Sequence, residues 1–146
     1  YDKSKKYKEH KSKVGNVVKE KNKIRKDIFF NIDDCKLLDE HIFNKNLHKI
    51  VNHFKIKIRY RESYKMGRYY GDRRGFYIPH TDNQGGMDYR KISCVICLSK
   101  KEDYEGGLFH FVKLNKYIKF DIGDAIFFNS YLFLFLFLFL FLFFHN

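Results

Sequence analysis

The sequence reads as a mainly β protein with one flanking helix, an α+β chain, and three features carry that expectation. Apolar residues recur at spacings of three and four over roughly residues 34–52, the period of an amphipathic helix. Beyond residue 55 the apolar segments shorten and are punctuated by turn residues about every 8–12 positions, the rhythm of an antiparallel sandwich or barrel. Composition supplies a core: 45% of the 146 residues are hydrophobic and 19% aromatic, which suits one domain in a chain too short for two ordinary ones.

Residues 1–27 are polar and rich in lysine, with a few scattered apolar side chains, and are expected to form a mostly disordered basic arm. The domain is placed at 28–130. Residues 28–32 suit a short strand, and Asp33 or Asp34 suits the N-cap of the helix that follows. Leu37, Leu38, Ile42, Phe43, Leu47, Ile50, Val51 and Phe54 give that helix its apolar face. Residues 55–60 alternate strictly between basic and apolar or aromatic, as a half-buried strand does. Further strands are expected at 76–81, 91–99, 108–112 and 125–128. The turns between them are marked by Gly71 and Gly75, Asn83 to Gly86, Gly106-Gly107 and Asp121 to Asp124.

The end differs in kind. From Leu132 to Phe143 leucine and phenylalanine alternate with no polar face and no charge. A half-buried strand would alternate apolar with polar, so residues 131–146 are expected to be a low-complexity tail, from a repeat expansion or a frame slip. A membrane-inserting or interfacial tail and a buried strand are the rival readings.

Lys plus Arg number 29 against 17 for Asp plus Glu, a formal charge of +12. That excess attracts anions, nucleic acid or acidic lipid, although a solvated basic face explains it as well. Three cysteines are too few for a disulfide scaffold, and a single proline excludes Pro-rich classes. Tyr1 opens the chain, as in a fragment or a processed product, and no secretory signal peptide is readable between Lys3 and Lys26. The compartment is not legible.

The chemistry concentrates at Phe76-Tyr77-Ile78-Pro79-His80-Thr81-Asp82-Asn83. Residues i and i+2 of a strand share a face, so His80 and Asp82 can present an imidazole and a carboxylate side by side. These are two members of a 2-His-1-carboxylate triad, the ligand set of non-haem Fe(II) oxygenases. The pair alone is common. Its companions are Arg90 to Ser99, Asp103-Tyr104-Glu105-Gly106-Gly107-Leu108-Phe109 and Gly123-Asp124-Ala125-Ile126-Phe127-Phe128. In this order, with Phe29-Phe30 and Asp33-Asp34-Cys35 upstream, they resemble the prolyl 4-hydroxylase-like branch of the 2-oxoglutarate/Fe(II) dioxygenases over about residues 28–133.

The resemblance implies a double-stranded β-helix, related to the jelly roll, truncated here at its C-terminal strands. It implies Fe(II) held by His80 and Asp82, 2-oxoglutarate as cosubstrate, ascorbate as an accompanying reductant, and hydroxylation of a protein or small-molecule substrate. Tyr70, or its neighbour Tyr69, matches the tyrosine that contacts 2-oxoglutarate. The second histidine of the family falls here at Leu134, and no Lys or Arg follows Lys119 to bind the far carboxylate. Both essential groups are lost where the Leu/Phe run begins, so the chain is expected to be weak or inactive as an enzyme. His145 is the one later histidine, and it lies too far along.

Other candidates carry less. Cys94 and Cys97 are three apart and face opposite sides of a strand. His110 suits packing in an apolar strand. The spacings of His41, His48 and His53 match no metal pair. The rival functional class is a non-catalytic basic module for nucleic acid or a membrane surface; nucleic acid is the weaker expectation, and a membrane contact would run through the Leu/Phe tail.

Overall fold

The computed structural model describes residues 7–13, 20–136 and 140–145. The basic segment expected to be disordered supplies three strands: β1 (His10–Lys11), β2 (Lys23–Ile24) and β3 (Lys26–Phe29). Lys23, Arg25 and Asp27 are buried at alternate positions. Arg25 donates to Asp27 at 2.6 Å, so a segment without an apolar face still enters a sheet. The Ser12 hydroxyl ties β1 to this group by donating to Asp27 at 2.6 Å.

Residues 32–54 are helical throughout, as α1 (Ile32–Leu38), a π-helical turn (Asp39–Phe43) and α2 (Asn44–Phe54). The helix begins earlier than expected. Asn31 is the N-cap and its side chain accepts from the Asp34 N–H at 2.9 Å, while Asp33 and Asp34 occupy the first turn, where their charge suits the helix dipole. The preceding strand accordingly ends at Phe29. Lys55 closes α2 in the left-handed region, φ 53°. Inside the π-helical turn, Asp39 receives Arg61 and the Tyr64 hydroxyl, which staples the helix to the sheet.

The alternation at 55–60 persists in burial but not in pairing. Ile56 and Ile58 are half-buried against the core while Lys57 and Arg59 are exposed, and ladder pairing starts only at β4 (Tyr60–Arg61). The remaining strands are β5 (Lys65–Arg68), β6 (Phe76–His80), β7 (Arg90–Ile96), β8 (Phe109–Phe111), β9 (Lys116–Ile118), β10 (Ala125–Asn129), β11 (Leu134–Leu136) and β12 (Leu140–His145).

They form two antiparallel sheets. The larger runs β1-β3-β5-β12-β7-β10, with β4 also on β12; the smaller runs β2-β6-β11-β8-β9. Strand β7 shows the layering. Ile92, Cys94 and Ile96 join the core under the helix with Ile28, Ile50 and Met66. Val95 and Cys97 join a second core with Phe109 and Phe111 of β8, Phe120, and Phe128 of β10. The larger sheet is therefore covered by helix on one face and by the smaller sheet on the other, which is why β7 reads as a continuous apolar run. Cys94 and Cys97 fall in different cores and are free thiols; burial raises both, Cys94 well above the ordinary thiol range.

The tail departs from expectation. Its backbone does not lie outside a truncated domain: β11 is the middle strand of the smaller sheet, and β12 lies between β5 and β7 in the larger. The slot of β12, in a sheet covered on both faces, accepts sequence that is apolar at every position, so the missing polar alternation did not exclude a strand there. Residues 137–139 and 146 lie outside the described residues. Among the described residues no helix is long and apolar enough to cross a membrane.

Candidate metal centre

His80 ends β6 and Asp82 sits in the turn that follows. Both are 6% exposed, and His80 Nε2 lies 3.5 Å from Asp82 Oδ1. The strand delivers the histidine through a bulge. Leu134 pairs with His80 and Leu136 with Tyr77, so β11 advances by two residues while β6 advances by three. The extra residue turns Tyr77 and His80 to one face, where their rings stack at 3.5 Å. Pro79 has no N–H to place in a ladder and is tolerated at such a position.

The imidazole is oriented from behind. His80 Nδ1 is 2.8 Å from the Ile78 carbonyl oxygen, which can only accept, so Nδ1 donates there and Nε2 is the nitrogen turned toward Asp82. Nε2 and Asp82 Oδ2 are buried and have no hydrogen-bond partner. Buried polar atoms are rarely left so, and two side by side fit a cation better than they fit each other. Asp82 is also held in place: its N–H donates to the Ser130 carbonyl at 3.0 Å, and its own carbonyl accepts from Arg90 at 3.0 Å. Burial alone would raise the Asp82 carboxyl, but His80, the Ser93 hydroxyl and Arg90 outweigh it and keep the group below the ordinary carboxylate range.

Among the described residues no third metal-ligating side chain joins His80 and Asp82. Cross-strand partners share a face, and the residue paired with His80 on the adjacent strand is Leu134, the slot expected for the second histidine. Leu134 pairs on its other side with Phe111, so Phe111 takes the His80 face and His110 the opposite one, where it stacks on Tyr117 at 3.9 Å. His145 pairs with Arg90 and Tyr60 in the larger sheet, not in the sheet that carries His80. Among the described residues no group of three or more His, Cys, Asp or Glu side chains could hold a metal. The residues present fit two of the three protein positions of a facial iron site.

Of the two candidate tyrosines, Tyr69 lies in the interior and Tyr70 at the surface. Tyr70 is exposed and donates to Glu9 at 2.6 Å, away from the interior. Tyr69 is 7% exposed, and its oxygen accepts from Arg25 at 3.2 Å. Parity explains this: Met66 belongs to the core under the helix, so Lys65, Gly67 and, one step beyond the strand, Tyr69 point between the sheets. Arg25, Asp27 and Lys65 were missed because the segment that holds two of them looked like a solvated arm. The available signal was the alternation of Lys23, Arg25 and Asp27 with Ile24, Lys26 and Ile28.

Two packed antiparallel sheets, a helix outside the larger, and a His-x-Asp pair at the end of an inner strand define a jelly-roll fold of the prolyl-hydroxylase type. A prolyl-4-hydroxylase from Pseudomonas putida superposes over 94% of this chain and 78% of its own, with a TM-score of 0.68 and 14% identity. The viral collagen prolyl hydroxylase from Paramecium bursaria Chlorella virus-1, solved as its 2-oxoglutarate complex, covers 84% of this chain and 78% of its own, with a TM-score of 0.64 and 18% identity. No protein-family model matches the sequence, and no curated protein matches it significantly.

Proposed function

We propose that this chain is a prolyl 4-hydroxylase-like 2-oxoglutarate- and Fe(II)-dependent dioxygenase whose metal centre has been reduced to His80 and Asp82. The observation that carries the reading is the pair of buried, unpartnered atoms, His80 Nε2 and Asp82 Oδ2, at the end of β6 in a fold shared with prolyl hydroxylases. We read the two sheets as a double-stranded β-helix and the expected substrate as a protein or peptide side chain. Iron with 2-oxoglutarate would supply the oxidising power for hydroxylation. The chain's own residues would orient it: the Ile78 carbonyl accepts from His80 Nδ1, Tyr77 covers its ring, and Ser130 and Arg90 hold the Asp82 backbone.

With Leu at 134 the centre binds iron weakly, and turnover of 2-oxoglutarate by this chain is slow or absent. The test is a titration with Mn(II) or anaerobic Fe(II), with and without 2-oxoglutarate, of the wild type and of Asp82→Ala. Weak binding in the wild type, lost in the variant, supports the reading. Equal binding by both removes the metal from this pair.

A further inference from the structure

The edges of the two sheets are not alike. Among the described residues the strand orders end on β1 and β10 in the larger sheet and on β2 and β9 in the smaller. An exposed edge is a template for another strand, and natural edges are blunted by brevity, charge, proline or a bulge. β1 and β2 are two residues long and each carries a lysine, while β9 is three residues long and opens with Lys116. β10 has none of these devices. It runs Ala125-Ile126-Phe127-Phe128-Asn129, without charge or proline, and pairs with β7 in one unbroken register.

The alternation of its backbone decides which groups face outward. The Cys97 N–H donates to the Asp124 carbonyl at 2.9 Å and the Ser130 N–H to the Lys91 carbonyl at 3.0 Å, so the even-numbered residues bond toward β7. The odd-numbered ones, among them the exposed Ala125 and Asn129, turn their backbone groups to the open side. The Asn129 carbonyl accepts there from the Leu132 N–H and keeps a second lone pair. Beside this edge a groove of about 470 Å³ lies between Ile50, His53 and Phe54 of α2 and the start of the strand. The two ends of β10 differ in charge. Asp121 and Asp124 are exposed at its start. Lys91 stands at its finish, with Nζ donating to the Tyr131 hydroxyl and the Asp88 carbonyl, each at 3.2 Å, and it forms no ion pair among the described residues.

We propose, independently of the metal centre, that β10 is a self-association edge, along which two copies of this chain join their larger sheets about a two-fold axis centred on Phe127. In that register Ala125 of each copy lies opposite Asn129 of the other, and Asp124 lies opposite Ser130. Parity puts the charges on one face: Ile126 and Phe128 belong to the core between the sheets, so Asp124 and Ser130 share that side, and Lys91 shares it with Val95 of β7. Each acidic end therefore meets the basic end of its partner. A strand acidic at its start and basic at its finish is complementary to its own reverse, which favours a second copy over an unrelated strand.

Sedimentation velocity of the full chain over about 1–100 µM tests it, with mass read against concentration. The wild type is expected to pass from monomer to dimer in that range. In Ala125→Lys/Asn129→Lys, like charges stand opposite one another in both outer pairs of the shared ladder, and the dissociation constant should rise roughly tenfold or more. Ala125→Glu/Asn129→Lys sets opposite charges across the same pairs and should return it to within a few-fold of the wild type, a recovery that depends on residue 125 facing residue 129 of the partner. Lys91→Glu, which sets a carboxylate against the partner's Asp124, should weaken the dimer as well, and decides alone if circular dichroism shows that the double variants do not fold. A chain monomeric throughout, an edge that takes up an unrelated extended peptide while the chain stays monomeric, a dimer untouched by the two lysines, or no recovery in the folded Glu/Lys variant overturns the inference.

Discussion

Restoring the missing ligand is the most direct probe of the centre. Leu134 pairs with His80 on the neighbouring strand, and partners in an antiparallel pair have Cα atoms about 4.5–5.5 Å apart with side chains on one face. Leu134→His therefore offers a third donor without a change of backbone. Four-ligand zinc peptides gain about 10–16 kcal/mol in total, so one ligand is worth about 2.5–4 kcal/mol. At about 1.4 kcal/mol per decade, this predicts that metal binding tightens by about 10²- to 10³-fold. Co(II) is a suitable reporter because its visible spectrum follows coordination number. The predicted result is a stronger, altered spectrum in Leu134→His, reversed in Leu134→His/Asp82→Ala. An unchanged Co(II) affinity in a folded Leu134→His variant would refute the placement of the third ligand opposite His80.

Three further predictions follow from the fold. Gly67→Ala places a methyl group 2.7–3.0 Å from the Arg25 side chain and should destabilise the protein by about 1–3 kcal/mol in urea unfolding, through displacement of the buried Arg25–Asp27 pair; no loss would mean that Arg25 is not confined there. Asn31→Ala should cost about 1 kcal/mol, read as a lower midpoint with an unchanged m-value, because it removes the helix cap. Lys23 is depressed in the folded state to about 6 from its ordinary 10.5, so between those values the unfolded chain binds the extra proton and stability rises with pH. The slope should approach, and not exceed, about 1.4 kcal/mol per pH unit, and should vanish in Lys23→Met; a slope unchanged in the variant would show that other groups cause it.

The readable part of the fold was the part written in apolar pattern. The helix period and the β6, β7, β8 and β10 segments carry runs long enough to be seen, and His80 with Asp82 stands at the end of one of them. The unreadable parts have a common cause: partners distant in sequence supply what the local pattern lacks. Lys23 and Arg25 look like solvent-facing charges until Asp27 and Tyr69 meet them inside. The choice between Tyr69 and Tyr70 depends on the parity of β5, a strand with Gly67 at its centre that shows little β pattern. The Pro79 bulge decides that Tyr77 shares a face with His80, and no rule of strict alternation anticipates it. Residues 55–59 err the other way, since perfect alternation there produces half-burial without a strand partner among the described residues.

The position of β12 has a consequence for the order of assembly. Its neighbours β5 and β7 are separated from it by about 70 and 45 residues of chain, and they pair with it rather than with each other. During synthesis β3 can pair with β5, and β7 can later pair with β10, but the two halves of the larger sheet have no shared strand until residues 140–145 leave the ribosome. Until then the facing edges of β5 and β7 present unsatisfied backbone groups beside an apolar interior. Non-local closure of this kind is slow and exposes aggregation-prone edges. The Leu/Phe segment is thus the keystone of the larger sheet, and shortening it should be felt first as lost yield of soluble chain, before any effect on the chemistry at His80 is measured.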